Sequence, residues 1–94
     1  MKKADKKLLC AISLQDTSGV KVALIDGANP NVSNHIGVTP LMVSARLNDI
    51  GSLQVLLKQG ADIERRDYIG RNAFQYALKY HSTEALNLLL TEEY

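Results

Sequence analysis

The chain is 94 residues long and carries 11 Lys and Arg against 10 Asp and Glu, for a net charge of +1. That balance argues against a polyanion-binding surface as the main role, because nucleic-acid modules carry a strong basic excess. The length allows one small domain, residues 1–94, and a single cysteine, Cys10, excludes an internal disulfide.

Lys2, Lys3, Lys6 and Lys7 cluster around Asp5 at the start. They read as the solvated first turn of a helix, with a contact to phosphate or anionic lipid as the alternative. Leu8, Leu9 and Ile12 are spaced as one helical stripe. Cys10, within it, is expected to be a half-buried small apolar residue rather than a reactive thiol. No apolar run precedes Leu8-Leu9-Cys10, so it is no lipoprotein signal. Neither a signal peptide nor a transmembrane segment is legible, and the expected location is the cytoplasm. Asp16 suits the N-cap of a second helix carrying Val20, Val22, Ala23 and Leu24, and Gly27 suits its left-handed C-cap. A loop over residues 29–38 follows, with a turn tip at Asn34-His35-Ile36-Gly37. Pro40 opens a third helix, where its missing N–H costs nothing, with Leu41, Met42 and Ala45 facing inward. Asp49 caps a fourth with Leu53, Val55, Leu56 and Leu57, closed by Gly60. After a loop over 62–71, with its tip at Asp67-Tyr68-Ile69-Gly70, come a fifth helix (Phe74, Ala77, Leu78) and a sixth capped by Ser82 (Leu86, Leu88, Leu89, Leu90). The second helix of each pair is apolar around much of its circumference, as expected of a helix sandwiched between neighbours.

These elements superimpose at an offset of 33 residues without insertion or deletion. Asp26-Gly27-Ala28-Asn29 returns as Gln59-Gly60-Ala61-Asp62, and Gly37-Val38-Thr39-Pro40-Leu41 falls on Gly70-Arg71-Asn72-Ala73-Phe74. Each unit is then one module that buries its apolar face only against its neighbours, giving an elongated stack whose function lies on its surface. The offset carries Gly60 onto Glu93, so the third unit lacks the Gly-Ala-Asp closure. Its flank is polar at Glu84, Asn87, Thr91 and Glu92. Both ends read as capped and the chain as complete, although Leu86, Leu88 and Leu90 leave the last face less well shielded.

Residues 37–64 resemble an ankyrin repeat in the Thr39-Pro40-Leu41 entry, the Ser44-Ala45 pair, the Leu56-Leu57 pair and the closing Gly60-Ala61-Asp62. The resemblance runs from about Asp5 to Tyr94. Met42 and Gln75 depart from the family's usual His, Asn48 and His81 from its usual Gly, and Asn72-Ala73-Phe74 from its Thr-Pro-Leu, which should weaken individual loops and hydrogen bonds. The resemblance implies an all-α ankyrin-repeat solenoid of three helix-turn-helix units (residues 4–33, 34–66 and 67–94) with two β-hairpin fingers. It further implies that partners bind a concave side made of finger tips and exposed first-helix positions. Carried over, those are His35, Ile36 and Val38 on the first finger and Tyr68, Ile69 and Arg71 on the second. Ser13, Leu14, Arg46, Leu47, Lys79 and Tyr80 are the helical contributions. Tyr and Arg are common at interface hot spots and contiguous exposed apolar groups mark partner sites. The alternative is that Ile36 and Ile69 fold back onto the helices.

No catalytic constellation is legible. His35 and His81 belong to different units and Cys10 to a third, and there is no zinc spacing, phosphate-binding loop or nucleophile with a local base. Glu92-Glu93 reads as a solvated tail rather than a metal site. The expectation is a non-enzymatic protein-binding module without cofactor or metal, binding neither nucleic acid nor membrane. It would act as a monomer, as a stoichiometric regulator or inhibitor masking another protein's surface. The alternative is a structural protein that homo-oligomerises through an incompletely capped end using Leu86 and Leu90.

Overall fold

A computed structural model describes residues 1–93, with side-chain environments through Thr91; Glu92 on the polar flank and the Glu92-Glu93 tail lie outside the described side chains. Six helices follow in order: α1 (Lys3–Ser13), α2 (Thr17–Ile25), α3 (Pro40–Leu47), α4 (Ile50–Lys58), α5 (Ala73–Lys79) and α6 (Thr83–Glu93). They pair as α1/α2, α3/α4 and α5/α6, and first helices pack on first helices and second on second. A single core runs through the stack, with Leu8, Ile12, Val20, Leu41, Met42, Leu53, Leu56 and Leu89 all essentially removed from water. Three units are too few to make an elongated body. The extents are 31 × 25 × 23 Å, so the expected long stack is nearly as wide as it is long.

Turn chemistry explains the pairing. Asp16 accepts from the Gly19 N–H at 3.0 Å and Asp49 from the Ser52 N–H at 3.3 Å, as N-caps do. Gln15, Asn48 and His81, one repeat apart, all adopt left-handed conformations with φ of 56°, 54° and 56°. At the third cap the expectation needs correcting. The Ala85 N–H is met not by Ser82 but by Asn48 Oδ1 of the preceding unit at 3.0 Å, while the Ser82 hydroxyl donates to the Arg46 carbonyl at 3.3 Å. Asn48 Nδ2 also donates to Glu84 Oε1 at 3.3 Å. Thus Asn48, expected to weaken its loop, ties two units together. At the entry to α5, Asn72 and Gln75 exchange bonds of 2.9 and 3.1 Å in a capping box.

Four burial expectations are also corrected. Cys10 is exposed, whereas its equivalents Val43 and Tyr76 are buried. Tyr76 lies beneath the finger ahead of α5, and the described residues put no finger ahead of α1. Leu78, assigned to a buried stripe, is 58% exposed, because among the described residues no further helix packs on the outer side of α5. The second helices are not sheathed all round, since Val22 and Leu90 are also exposed. Asp5, grouped with the solvated lysines, is in fact buried and accepts from the Asn29 N–H at 2.8 Å.

Among the described residues no β-strand forms, so the fingers are not β-hairpins. Each is a turn built around one side chain. Asn34 Oδ1 accepts from the Ile36 and Val38 N–H groups, both at 3.0 Å, and Asp67 Oδ1 from those of Ile69 and Arg71 at 3.0 and 2.9 Å. A backbone bond from Asn34 N–H to the Val38 carbonyl, and its equivalent from Asp67 to Arg71, closes each turn. Five residues so stapled leave no length for a ladder.

Candidate protein-interaction face

The two fingers stand side by side at the entries to α3 and α5. Their tips join through one backbone bond, from the Tyr68 N–H to the Ile36 carbonyl at 3.0 Å. The Tyr68 ring lies against Gly37, where an added Cβ would come within 2.7 Å of Tyr68 Cδ1. Gly37 also has a φ of +83°, so glycine satisfies two demands here, a left-handed backbone and the close approach of a ring. Resting on glycine rather than in a pocket, Tyr68 remains 76% exposed; Ile69 beside it is 79% exposed, and Ile36 is exposed as well. His35 is exposed at the first tip.

Below the second finger, three side chains form a network. Asp67, with a side chain 1% exposed, accepts from the Tyr76 hydroxyl at 2.6 Å and from Arg71 Nε at 2.9 Å. The same guanidinium donates to Tyr76 Oη at 3.1 Å and lies 4.8 Å from the ring centroid. Burial pushes the Asp67 carboxyl upward, but the hydrogen bonds from Tyr76, the Arg71 N–H, the Arg71 guanidinium and the Ile69 N–H outweigh it. They hold the group well below the usual carboxylate range. The bond to Asp67 raises Arg71 further above its already high value. Tyr76 is raised by burial first and by its bond to Asp67 second. The network extends outward, where Tyr80 stacks on Tyr76 with centroids 6.5 Å apart and planes at 10°, and Lys79 Nζ lies 5.7 Å from the Tyr80 centroid. Tyr68 and Ile36 thus meet at the tips, and Tyr76, Tyr80 and Lys79 continue from the base of the second finger along α5.

The remaining expected residues fall differently. Arg46 is exposed at the end of α3 and its carbonyl holds Ser82. Ser13 and Leu14 are exposed at the end of α1. Val38 and Leu47 are half-buried against the core, and Arg71 is committed to Asp67 and Tyr76, so these three offer a partner less than their types suggest. The network had a signature in the repeat. At the three positions occupied by Asn34, Val38 and Val43 in the second unit, the third has Asp67, Arg71 and Tyr76, all exchanged together for groups that can bond one another.

Among the described residues no three His, Cys, Asp or Glu side chains are grouped to hold a metal ion, and no described helix is long and apolar enough to cross a membrane. His35 is at a finger tip and His81 in the turn between α5 and α6.

A family model for ankyrin repeats in three copies matches residues 8–94. The chain is also similar to a putative ankyrin repeat protein of Acanthamoeba polyphaga mimivirus, with 39% identity over 64 residues. That match covers 67% of this chain and 16% of the relative, so the chain spans only a small part of that protein's length. Six helices in three stacked pairs, matched by this family over nearly their whole extent, establish that the chain belongs to the ankyrin repeat family.

Proposed function

We propose that the protein is a non-enzymatic interaction module that binds another protein through the finger tips and the C-terminal ends of α3 and α5, and acts by masking that protein's surface as a stoichiometric regulator. The ankyrin repeat is generally a protein-interaction fold, which supports the broad reading. One observation carries the finer one. Tyr68 and Ile69 are largely presented to water at the head of a stapled turn whose base is a buried network, so a large contact area is offered at little ordering cost. His35, Ile36, Arg46, Lys79 and Tyr80 extend this centre, and Val38, Leu47 and Arg71 support it from beneath.

Affinity for a captured partner tests the assignment. Tyr68→Ala and Tyr80→Ala should each weaken binding by on the order of 2 kcal/mol, as truncation of a central aromatic does. Tyr68→Ala should change folding by within about 0.5 kcal/mol. Glu84→Ala, on the last unit, should bind as the unaltered protein does. If both tyrosine variants bind normally while Glu84→Ala fails, the open end of the stack is the interface.

That outcome would favour the second reading, homo-oligomerisation through the last unit. Its support is the exposure of Leu90 and a shallow cleft of about 200 Å³ lined by Leu86 and the exposed Leu78. Sedimentation equilibrium separates the readings, since a monomer is expected for the first and a dimer sensitive to Leu90 for the second.

A further inference from the structure

A broad depression lies not on the finger side but across the second helices. It is an open groove of about 760 Å³ between α2 and α4, reaching α6 at Leu88. Leu24, Val55 and Leu57 are half-buried beneath it and show it their outer halves, while Ile25 stands 82% exposed at its edge. Lys21 and Lys58 line it, no carboxylate does, and among the described residues neither lysine has an ion-pair partner. The repeat explains the placement. An offset of 33 pairs Ile25 with Lys58 and Lys21 with Gln54, so each helix contributes one lysine, on successive turns. Neither the period nor the finger face accounts for an apolar trough flanked by two free positive charges.

We propose that this groove is a second docking site, taking an acidic amphipathic helix from another protein. A helix is about 10 Å across with its side chains, and one laid along the trough would bury an apolar stripe at i, i+3, i+4 and i+7 against Leu24, Val55 and Leu57. Carboxylates flanking that stripe would face the two lysines, one on each wall of the groove. Charge complementarity selects the acidic sequence over a basic one. Two sites on different sides of one small stack would let the module bridge two proteins.

The probes are a fluorescein-labelled synthetic helical peptide, with Leu on one stripe and Glu on both flanks, and its counterpart with Lys in place of every Glu. Fluorescence anisotropy should show saturable binding of the acidic peptide alone, weakening as salt screens the lysines. The double variant Lys21→Glu/Lys58→Glu should weaken it by about tenfold or more, and Ile25→Glu, at an exposed position that folding does not require, should do the same. Tyr68→Ala should leave it unchanged, which separates this site from the finger face. Absence of binding, equal binding of both peptides, or loss in Tyr68→Ala with retention in Ile25→Glu would overturn the proposal. So would self-association of the protein abolished by Ile25→Glu, because a second copy would then occupy the groove.

Discussion

Asp67 illustrates how one carboxylate can hold a finger. It accepts from two backbone N–H groups, a guanidinium and a hydroxyl, and each of these would lose its charged partner if the carboxylate were neutralised. Its folded pKa lies below its unfolded value of about 3.9, so its stabilisation is present above that value and is lost as pH falls through the acid range. Thermal melts from pH 7 to pH 2 should show stability falling below about pH 4. Asp67→Asn should flatten that dependence and cost about 2 kcal/mol at neutral pH, since a hydrogen bond to a charged group contributes about 1.5–3 kcal/mol. An unchanged acid limb in the Asn variant would assign the pH response elsewhere. The left-handed residues supply a paired test. His81→Gly relieves a conformation that costs a non-glycine residue about 1–2 kcal/mol, and should raise stability by about 1 kcal/mol. Asn48→Gly gives the same relief but removes the cap on α6, worth about 1 kcal/mol, so urea titrations should show it gaining little or losing stability.

At the scale of elements, the helices were legible in the sequence because their signals are local. The apolar spacing of Leu41, Met42 and Ala45, the caps at Asp16 and Asp49, and Gly27 and Gly60 with φ of 95° and 89° all act within one unit. What was not legible depends on the neighbouring unit. Asn48 reaches across to α6, Asp5 is buried by the loop that brings Asn29 to it, and Cys10 is exposed because its cover would come from a finger the described residues lack. The fingers were placed correctly but not their conformation, since the Asn34 and Asp67 side chains take the bonds a ladder would have used. At the candidate face, residue type singled out Tyr68 and Tyr80, both exposed in the structure, yet could not show that Arg71 turns inward. Gly37 links the fingers, so Gly37→Ala should destabilise by about 1–3 kcal/mol through a strained φ and should also displace the Tyr68 ring. Circular dichroism melts with one-dimensional NMR of the tyrosine resonances would register both, and a neutral substitution would contradict the packing described.

For the whole molecule, a three-unit stack has one continuous core and little to spare. Leu56 and Leu89 are fully buried on adjacent units, and either truncation to Ala should cost about 2–5 kcal/mol, a large share of a small domain's total. Against that cooperative body, the exposed finger tips carry the proposed recognition. Site-specific photocrosslinking tests this division most directly, because it captures a partner of any identity. A photoreactive side chain would be placed in turn at Tyr68, Tyr80 and Glu84 and irradiated in a lysate of the source cells. The account predicts one and the same protein adduct from positions 68 and 80 and none from 84. An adduct formed only from 84, or only a crosslinked dimer of the chain itself, would contradict it.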